Sequence, residues 1–149
     1  MEYNNPSEIV KNLSFGRDGK DKIMAGVEKL AKAVSSTLGA SGKCVIYEDA
    51  LGKPVITKDG VTVAESVVLR DPVENIGATL IKEAAKNTVR EAGDGTTTAT
   101  VLAHWLLSNA SKELDKGETD IRSLKTGIDT ATDKVIKYID KASVPVKDT

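Results

Sequence analysis

Gly93-Asp94-Gly95-Thr96-Thr97-Thr98-Ala99-Thr100 is the stretch on which the fold turns. It lies between two long apolar periodicities, so it reads as the joint between two helices. Two glycines flank an aspartate directly before a helix start, and three threonines follow. The free N–H groups of a helix's first turn, with the macrodipole behind them, make an anion site. Gly95 lets an anion approach the backbone closely, and the Thr hydroxyls add donors. Asp94 would repel a phosphate unless a divalent cation sat between them, so it suits a Mg2+ ligand. The plainer reading has Asp94 and the threonines capping the helix.

Working outward, the helix before this joint starts at Asp71-Pro72, a cap followed by Pro in the first turn, and ends at Gly93. Ile76, Leu80 and Ala84 form one stripe and Ile81, Ala85 and Val89 another, which predicts broad burial. The helix after it runs from about Thr96 to Lys116, with Gly117 past its end. Its stripe is Leu102, Leu106, Ala110 and Leu114, flanked by Ala99, Ala103 and Leu107. A last helix begins near Thr119 or Asp120, and Ile121, Leu124, Ile128, Ala131, Val135, Ile139 and Ala142 keep helical spacing. Upstream, Asp18 opens a helix carrying Ile23, Val27, Leu30, Val34 and Leu38 on one face, with Gly39 as its stop.

Between these lie Cys44-Val45-Ile46-Tyr47 and Val55-Ile56-Thr57, two β-favouring runs around a Gly/Pro loop, which read as a hairpin. Lys58-Asp59-Gly60 is a turn signal, and Val61-Thr62-Val63 reads as a short strand or a helix entry. Four long helices and one hairpin give a mainly α domain, with Ala and Gly suggesting close helix packing.

Composition narrows the chemistry. The chain has 149 residues, with 21 Lys plus Arg against 22 Asp plus Glu, so no bulk pull toward nucleic acid or anionic membrane is expected. Aromatics are 3%, too few for a base-stacking platform. One cysteine, Cys44, excludes an internal disulfide, and one histidine, His104, excludes a Cys/His metal cluster. His104 has no nucleophile elbow to serve, Trp105 beside the leucine stripe reads as core or interface filler, and nothing activates Cys44. The segment 111–116 mixes charges at helical spacing and reads as a solvated face. The start has neither a secretory nor a transit-peptide pattern, no apolar run is long enough to span a bilayer, and a cytoplasmic location is expected. Ser143-Val144-Pro145 breaks the last helix.

Two further segments fall at element boundaries. Thr37-Leu38-Gly39-Ala40-Ser41-Gly42 is a helix end running into a glycine turn that could form an anion nest. Thr57-Lys58-Asp59-Gly60 puts a cation beside a carboxylate. Thr37-Leu38-Gly39, with 56–64 around the second segment and 92–103, resembles the group I (GroEL-type) chaperonins. Leu13-Ser14-Phe15-Gly16, Asp71 to Ala78, Gly127-Ile128-Asp129 and Ser143-Val144-Pro145 extend the resemblance from about Lys11 to the end.

The resemblance implies an incomplete long-helix equatorial domain with a small β-hairpin, or stem-loop. It implies an N-terminal extension over 1–10, the N-terminal part of the equatorial ATP-binding domain over 11–142, and the start of an intermediate domain over 143–149. Thr37, Leu38, Gly39 and Ala40 would line ATP and Lys58 would contact it. Asp94 would ligand Mg2+, and Gly95, Thr96, Thr97 and Thr98 would hold phosphates. The family's potassium ion would take backbone oxygens from Thr37 and Lys58. Asp59 matches a carboxylate near the γ-phosphate, where it would orient the attacking water. The hairpin from about Lys43 to Thr57, and a strand over Leu13–Phe15, would reach neighbouring subunits.

The implied function is the ATP-binding part of a ring-forming chaperonin. Its co-chaperonin and unfolded clients would be bound through domains beyond this sequence. The rest of the ATPase site would also lie there, so this chain alone is expected to be inactive, and the apolar stripe of its last helix would pack on helices of the family's second half. The alternative is a non-hydrolysing assembly module derived from a chaperonin; the plainest is a helical domain with only ancestral likeness. One departure stands out: the family's Pro-Lys-Gly after Thr-Leu-Gly is Ala40-Ser41-Gly42 here, which loosens the turn and removes a positive charge.

Overall fold

The computed structural model describes residues 13–145. The expected N-terminal extension and the segment 146–149 lie outside the described residues. Helix α1 is Gly16–Ser35, strands β1 and β2 are Val45–Glu48 and Pro54–Thr57, and α2 is Gly60–Ser66. Then come α3, Pro72–Ala92; α4, Thr96–Asp115; and α5, Ile121–Ala142. The described residues divide into two compact units, parted between Trp105 and Leu106 within α4.

In the first unit α1 and α3 cross at van der Waals contact of their backbones. A Cβ on Gly26 of α1 would sit 1.8 Å from the Glu74 carbonyl oxygen, and one on Gly77 of α3 would sit 2.0 Å from that of Ile23. Only glycine fits at either position, which realises the close packing the sequence suggested. Around the crossing Val27, Leu30, Val34, Val63, Ala64, Ala78 and Ile81 form the buried core. Lys29 pairs with Glu74 at 2.5 Å and Lys22 with Asp71 at 3.5 Å along the exposed flank.

Aspartates set most helix starts. Asp71 accepts from Val73 N at 2.8 Å and Glu74 N at 3.2 Å, with Pro72 in the first turn. Asp59 does the same for α2, which resolves Val61-Thr62-Val63 as helix; it adds a fifth helix to the four long ones expected. The far end of α2 is tied to α3 by Lys82, whose ammonium donates to the carbonyls of Glu65 and Val67. Burial pushes the Lys82 ammonium below the usual lysine range.

The hairpin forms as expected, antiparallel with Val45 opposite Thr57 and Glu48 opposite Pro54. Asp49 closes its loop by accepting from the amides of Leu51 and Lys53, and Gly52 has φ +75°.

Several expectations need correction. Leu13–Phe15 is not a strand; it leads irregularly into α1. Helix α1 stops at Ser35 instead of carrying Leu38 on its face. Three successive hydroxyls, Ser35, Ser36 and Thr37, bond back to the carbonyls of Lys32, Ala33 and Val34 and tighten the end into i→i+3 turns. Only one stripe of α3 is buried: Ile81 and Ala85 are covered, whereas Ile76 and Leu80 are 52% and 57% exposed.

In the second unit the later part of α4 turns at Gly117 into α5, capped by Asp120 through Arg122 N and Ser123 N. Leu124 and Ile128 are half-buried beside Leu106 and Ala110, but α5 has no buried residue. Leu106, Leu107, Val135 and Ile139 are exposed. In the first unit's share of α4, Leu102 is exposed and Trp105 is 61% exposed, so Trp105 is not core within this chain. Cys44 is exposed. Helix α5 ends at Ala142, and Ser143–Pro145 is irregular.

The glycines give a paired test. Gly77→Ala is expected to destabilise the chain by about 1–3 kcal/mol despite the better helix propensity of Ala. Gly127→Ala on α5, where a Cβ meets nothing within 4 Å, is expected to stabilise by about 0.5–1 kcal/mol. Urea midpoints of the two variants check both signs; a Gly77→Ala chain as stable as the parent would contradict the crossing.

Candidate functional site

A cavity of about 400 Å³ opens in the first unit where helix ends converge. Thr37, Leu38 and Gly39 form one wall, Asp59, Gly60 and Val61 a second, and Gly93 through Thr98 a third, with Val89 beside them. Segments separated by about twenty and thirty residues are thus brought to one place by the α1–α3 crossing and the short helix α2.

The first wall is the tightened end of α1. Thr37 N donates to Val34 O at 3.1 Å, Leu38 N to Ser35 O at 3.1 Å, Gly42 N to Gly39 O at 3.0 Å and Lys43 N to Ser36 O at 2.8 Å. Those amides are spent inside the turn, so the anion-nest reading reduces to Gly39, Ala40 and Ser41. Gly39 has φ +77°, and a Cβ on Gly42 would sit 2.2 Å from the Thr37 carbonyl oxygen.

The second wall is the start of α2. Asp59 Oδ2 accepts from Thr62 N at 2.9 Å and from Thr62 Oγ1 at 2.5 Å, and Oδ1 accepts from Val61 N at 3.3 Å. Asp59 N donates to Thr57 Oγ1 at 3.0 Å. The Thr62 hydroxyl first, then its amide, holds the Asp59 carboxyl below the usual carboxylate range. Gly60 seats this wall against the third: a Cβ there would lie 2.2 Å from Thr97 Oγ1 and 3.5 Å from Val34 Cγ1.

The third wall is the start of α4. Gly93 ends α3 at φ +76°, donating to Val89 O at 2.8 Å. Gly95 has φ +88°, and its carbonyl accepts from Ala99 N at 2.9 Å, so it stands at the cap position. Asp94 does not cap the helix; its Oδ1 accepts from the adjacent Gly95 N at 2.6 Å. Among the described residues no side chain accepts from the amides of Thr96, Thr97 or Thr98. Successive residues turn by about 100°, so the threonines differ. Thr96 is buried, Thr97 half-buried and Thr98 exposed, and Thr100 Oγ1 bonds to Thr96 O beneath them.

The expected site residues Thr37, Leu38, Gly39, Asp59, Asp94, Gly95, Thr96, Thr97 and Thr98 line this cavity. Ala40 and Lys58 do not; both are exposed beyond its rim. Gly60, Val61, Gly93 and Val89 line it as well, beyond the residues expected there. Val89 was hidden within an apolar stripe; its one-turn distance from Gly93 was the available signal. Among the described residues no Lys or Arg is in the lining, while two carboxylates are. Among the described residues no cluster of three or more His, Cys, Asp or Glu could hold a metal alone, and no helix is long and apolar enough to cross a membrane.

The model of the TCP-1/cpn60 chaperonin family matches residues 30–149. Among solved structures, this chain is similar to a group III chaperonin crystallised in the open state. The likeness covers 87% of this chain at 30% identity with a TM-score of 0.73. This chain spans 25% of that protein's chain.

Asp59→Ala is expected to cost about 1 kcal/mol of stability, whereas Asp59→Asn keeps the cap. Because the folded carboxyl titrates low, its contribution is complete above the ordinary carboxylate range and is lost as pH falls through the folded value. The Asn variant is therefore expected to lose stability less steeply than the parent on acidification below pH about 4. Thermal melts from neutral to acid pH check this; parallel pH curves would contradict it.

Proposed function

This chain belongs to the TCP-1/cpn60 chaperonin family, and we propose that its cavity is the phosphate end of an ATP site in a folding chaperonin. The observation that carries this reading is the open start of α4. Among the described residues no side chain caps its first-turn amides, and they border a cavity that also holds the Asp94 and Asp59 carboxylates. Helix-start amides favour an anion, while the two carboxylates without a lysine or arginine disfavour a bare one. A phosphate carrying a divalent cation satisfies both. Asp94 would hold Mg2+ through a carboxylate oxygen, the kind of single-carboxylate attachment this ion accepts beside phosphates.

In this reading Gly95, Thr96, Thr97 and Thr98 hold phosphate oxygens, with the buried Thr96 acting through its amide. Thr37, Leu38 and Gly39 form the wall beside the nucleotide, and backbone oxygens of Thr37 and Lys58 are offered to K+. Ala40 and Lys58 reach the nucleotide from outside the cavity rim. When bound, Mg2+ would supply positive charge beside the phosphates. Asp59 orients the attacking water; held ionised by its hydrogen bonds, it is a weak base and acts as an acceptor. Ring assembly with other subunits, ATP-driven folding of clients, a co-chaperonin and a cytoplasmic location belong to this proposal. So does membership of group I, which rests on 37–39, 56–64 and 92–103.

Mg2+ with ADP is expected to raise the melting temperature with ligand concentration. Asp94→Ala is expected to weaken Mg2+-dependent binding at least about tenfold, and calorimetry checks it. The absence of any shift with Mg2+ and ADP would refute the site. Ala40→Pro/Ser41→Lys is expected to tighten nucleotide binding, and unchanged affinity would show the turn to be indifferent.

The assembly-module alternative draws on the exposed apolar residues of α4 and α5, among them Leu102, Leu106, Leu107, Val135 and Ile139. Such surface promotes association. Sedimentation of the isolated chain is expected to show self-association; a cooperative monomer at high concentration would contradict it.

A further inference from the structure

We infer that Thr62 is a positioning residue that fixes which oxygen of Asp59 faces the reacting water. This rests on the reading of Asp59 above and extends it to a residue that lies outside the cavity wall. Each carboxylate oxygen accepts about two hydrogen bonds. Oδ2 receives both of its bonds from Thr62, at 2.9 Å from the amide and 2.5 Å from the hydroxyl. Oδ1 receives one long bond, 3.3 Å, from Val61 N. Oδ1 is therefore the oxygen with an open lone pair, and the carboxylate cannot rotate to exchange the two without breaking both bonds to Thr62.

A hydroxyl bond to the capping carboxylate also occurs at α5, where Ser123 Oγ donates to Asp120 Oδ2 at 2.6 Å while its amide goes to the other oxygen. At Asp59 both Thr62 bonds fall on one oxygen, and this carboxylate lines the cavity. The Thr62 hydroxyl adds a second restraint on the same oxygen, and it is the largest influence holding the carboxyl ionised. Thr62 thus keeps Asp59 as a charged acceptor in one orientation. Asp59 N is bonded to Thr57 Oγ1, which fixes the backbone end of the same residue. Val and Ala at position 62 would keep the amide bond and lose the hydroxyl; Ser would keep both.

The test compares Mg2+–ADP with Mg2+–ADP–aluminium fluoride, a mimic of the phosphate under attack, by calorimetry on the whole chain. The parent is expected to prefer the fluoride complex, and Asp59→Asn to reduce that preference. Thr62→Val is expected to lose about fivefold of the preference, one hydrogen bond's worth, with ADP affinity unchanged and Thr62→Ser restoring it. If Asp59→Asn leaves the preference intact, or the parent binds neither probe, the reading of Asp59 falls and the role of Thr62 with it. If Asp59→Asn matters and Thr62→Val does not, the Thr62 inference alone is overturned. Equal losses for both probes in Thr62→Val would mark a merely structural role and overturn it too. Thr62→Ala serves the same arm if Thr62→Val does not fold. Independently of nucleotide, carboxyl NMR should show the Asp59 pKa rising without the hydroxyl and staying low in Thr62→Ser; no rise would refute the restraint.

Discussion

The crossing of α1 and α3 through Gly26 and Gly77 is the constraint on which the first unit depends. Two backbones touch where side chains would normally hold them apart. Beyond the contact α1 runs on to Ser35 and α3 to Ala92, and both helix ends reach the same cavity. A spacer at the crossing would act on levers of two turns or more, so error there grows at Thr37 and Gly93. The close approach also lets residues as small as Ala78 and Ala85 complete a core with Leu30, Val34 and Ile81.

Glycine recurs wherever one segment must touch another's backbone or first turn, and each contact adds a wall. Gly60 lets α2 begin against Thr97, which puts the Asp59 segment beside the start of α4. Gly42 folds the turn after α1 onto Thr37. At its other end α2 is held by Lys82 from α3. A seven-residue helix is too short to stand on propensity. Its place comes from the Asp59 cap, the Lys82 tie and burial of Val63 and Ala64.

Legibility in the sequence followed the locality of the cause. Asp71-Pro72 and Gly93 bound α3 because caps and left-handed stops act within one turn. Val61-Thr62-Val63 stayed ambiguous because β-branched residues favour strands while Asp59 favours a helix start, and only contact with Ala78 and Ile81's layer decides between them. Leu38 fits the α1 stripe by spacing alone, because periodicity counts apolar positions and does not weigh the competing hydroxyls of Ser35, Ser36 and Thr37. Ile76, Leu80 and Leu102 show that an apolar stripe reports what a helix can bury, not what covers it. The three motifs of the site were legible one by one; their convergence was not, since it depends on Gly26, Gly60 and Gly77, which look alike in sequence.

The helix starts also divide by residue type. Asp59, Asp71 and Asp120 satisfy the first amides of α2, α3 and α5 with their own carboxylates. At α4 the cap position is Gly95, at φ +88°. A side chain there would meet the steric cost of a left-handed backbone, about 1–2 kcal/mol, so Ser or Asp cannot be placed to cap this helix without strain. The same backbone angle that turns the chain from α3 into α4 therefore keeps the amides of Thr96, Thr97 and Thr98 open. Replacing a good cap by glycine costs only a few tenths of a kcal/mol, so the fold tolerates this opening easily. With one histidine and one cysteine in the whole chain, donors of the backbone and oxygens of Asp and Thr are what the cavity has to work with, and the conformation of Gly95 leaves those donors uncommitted.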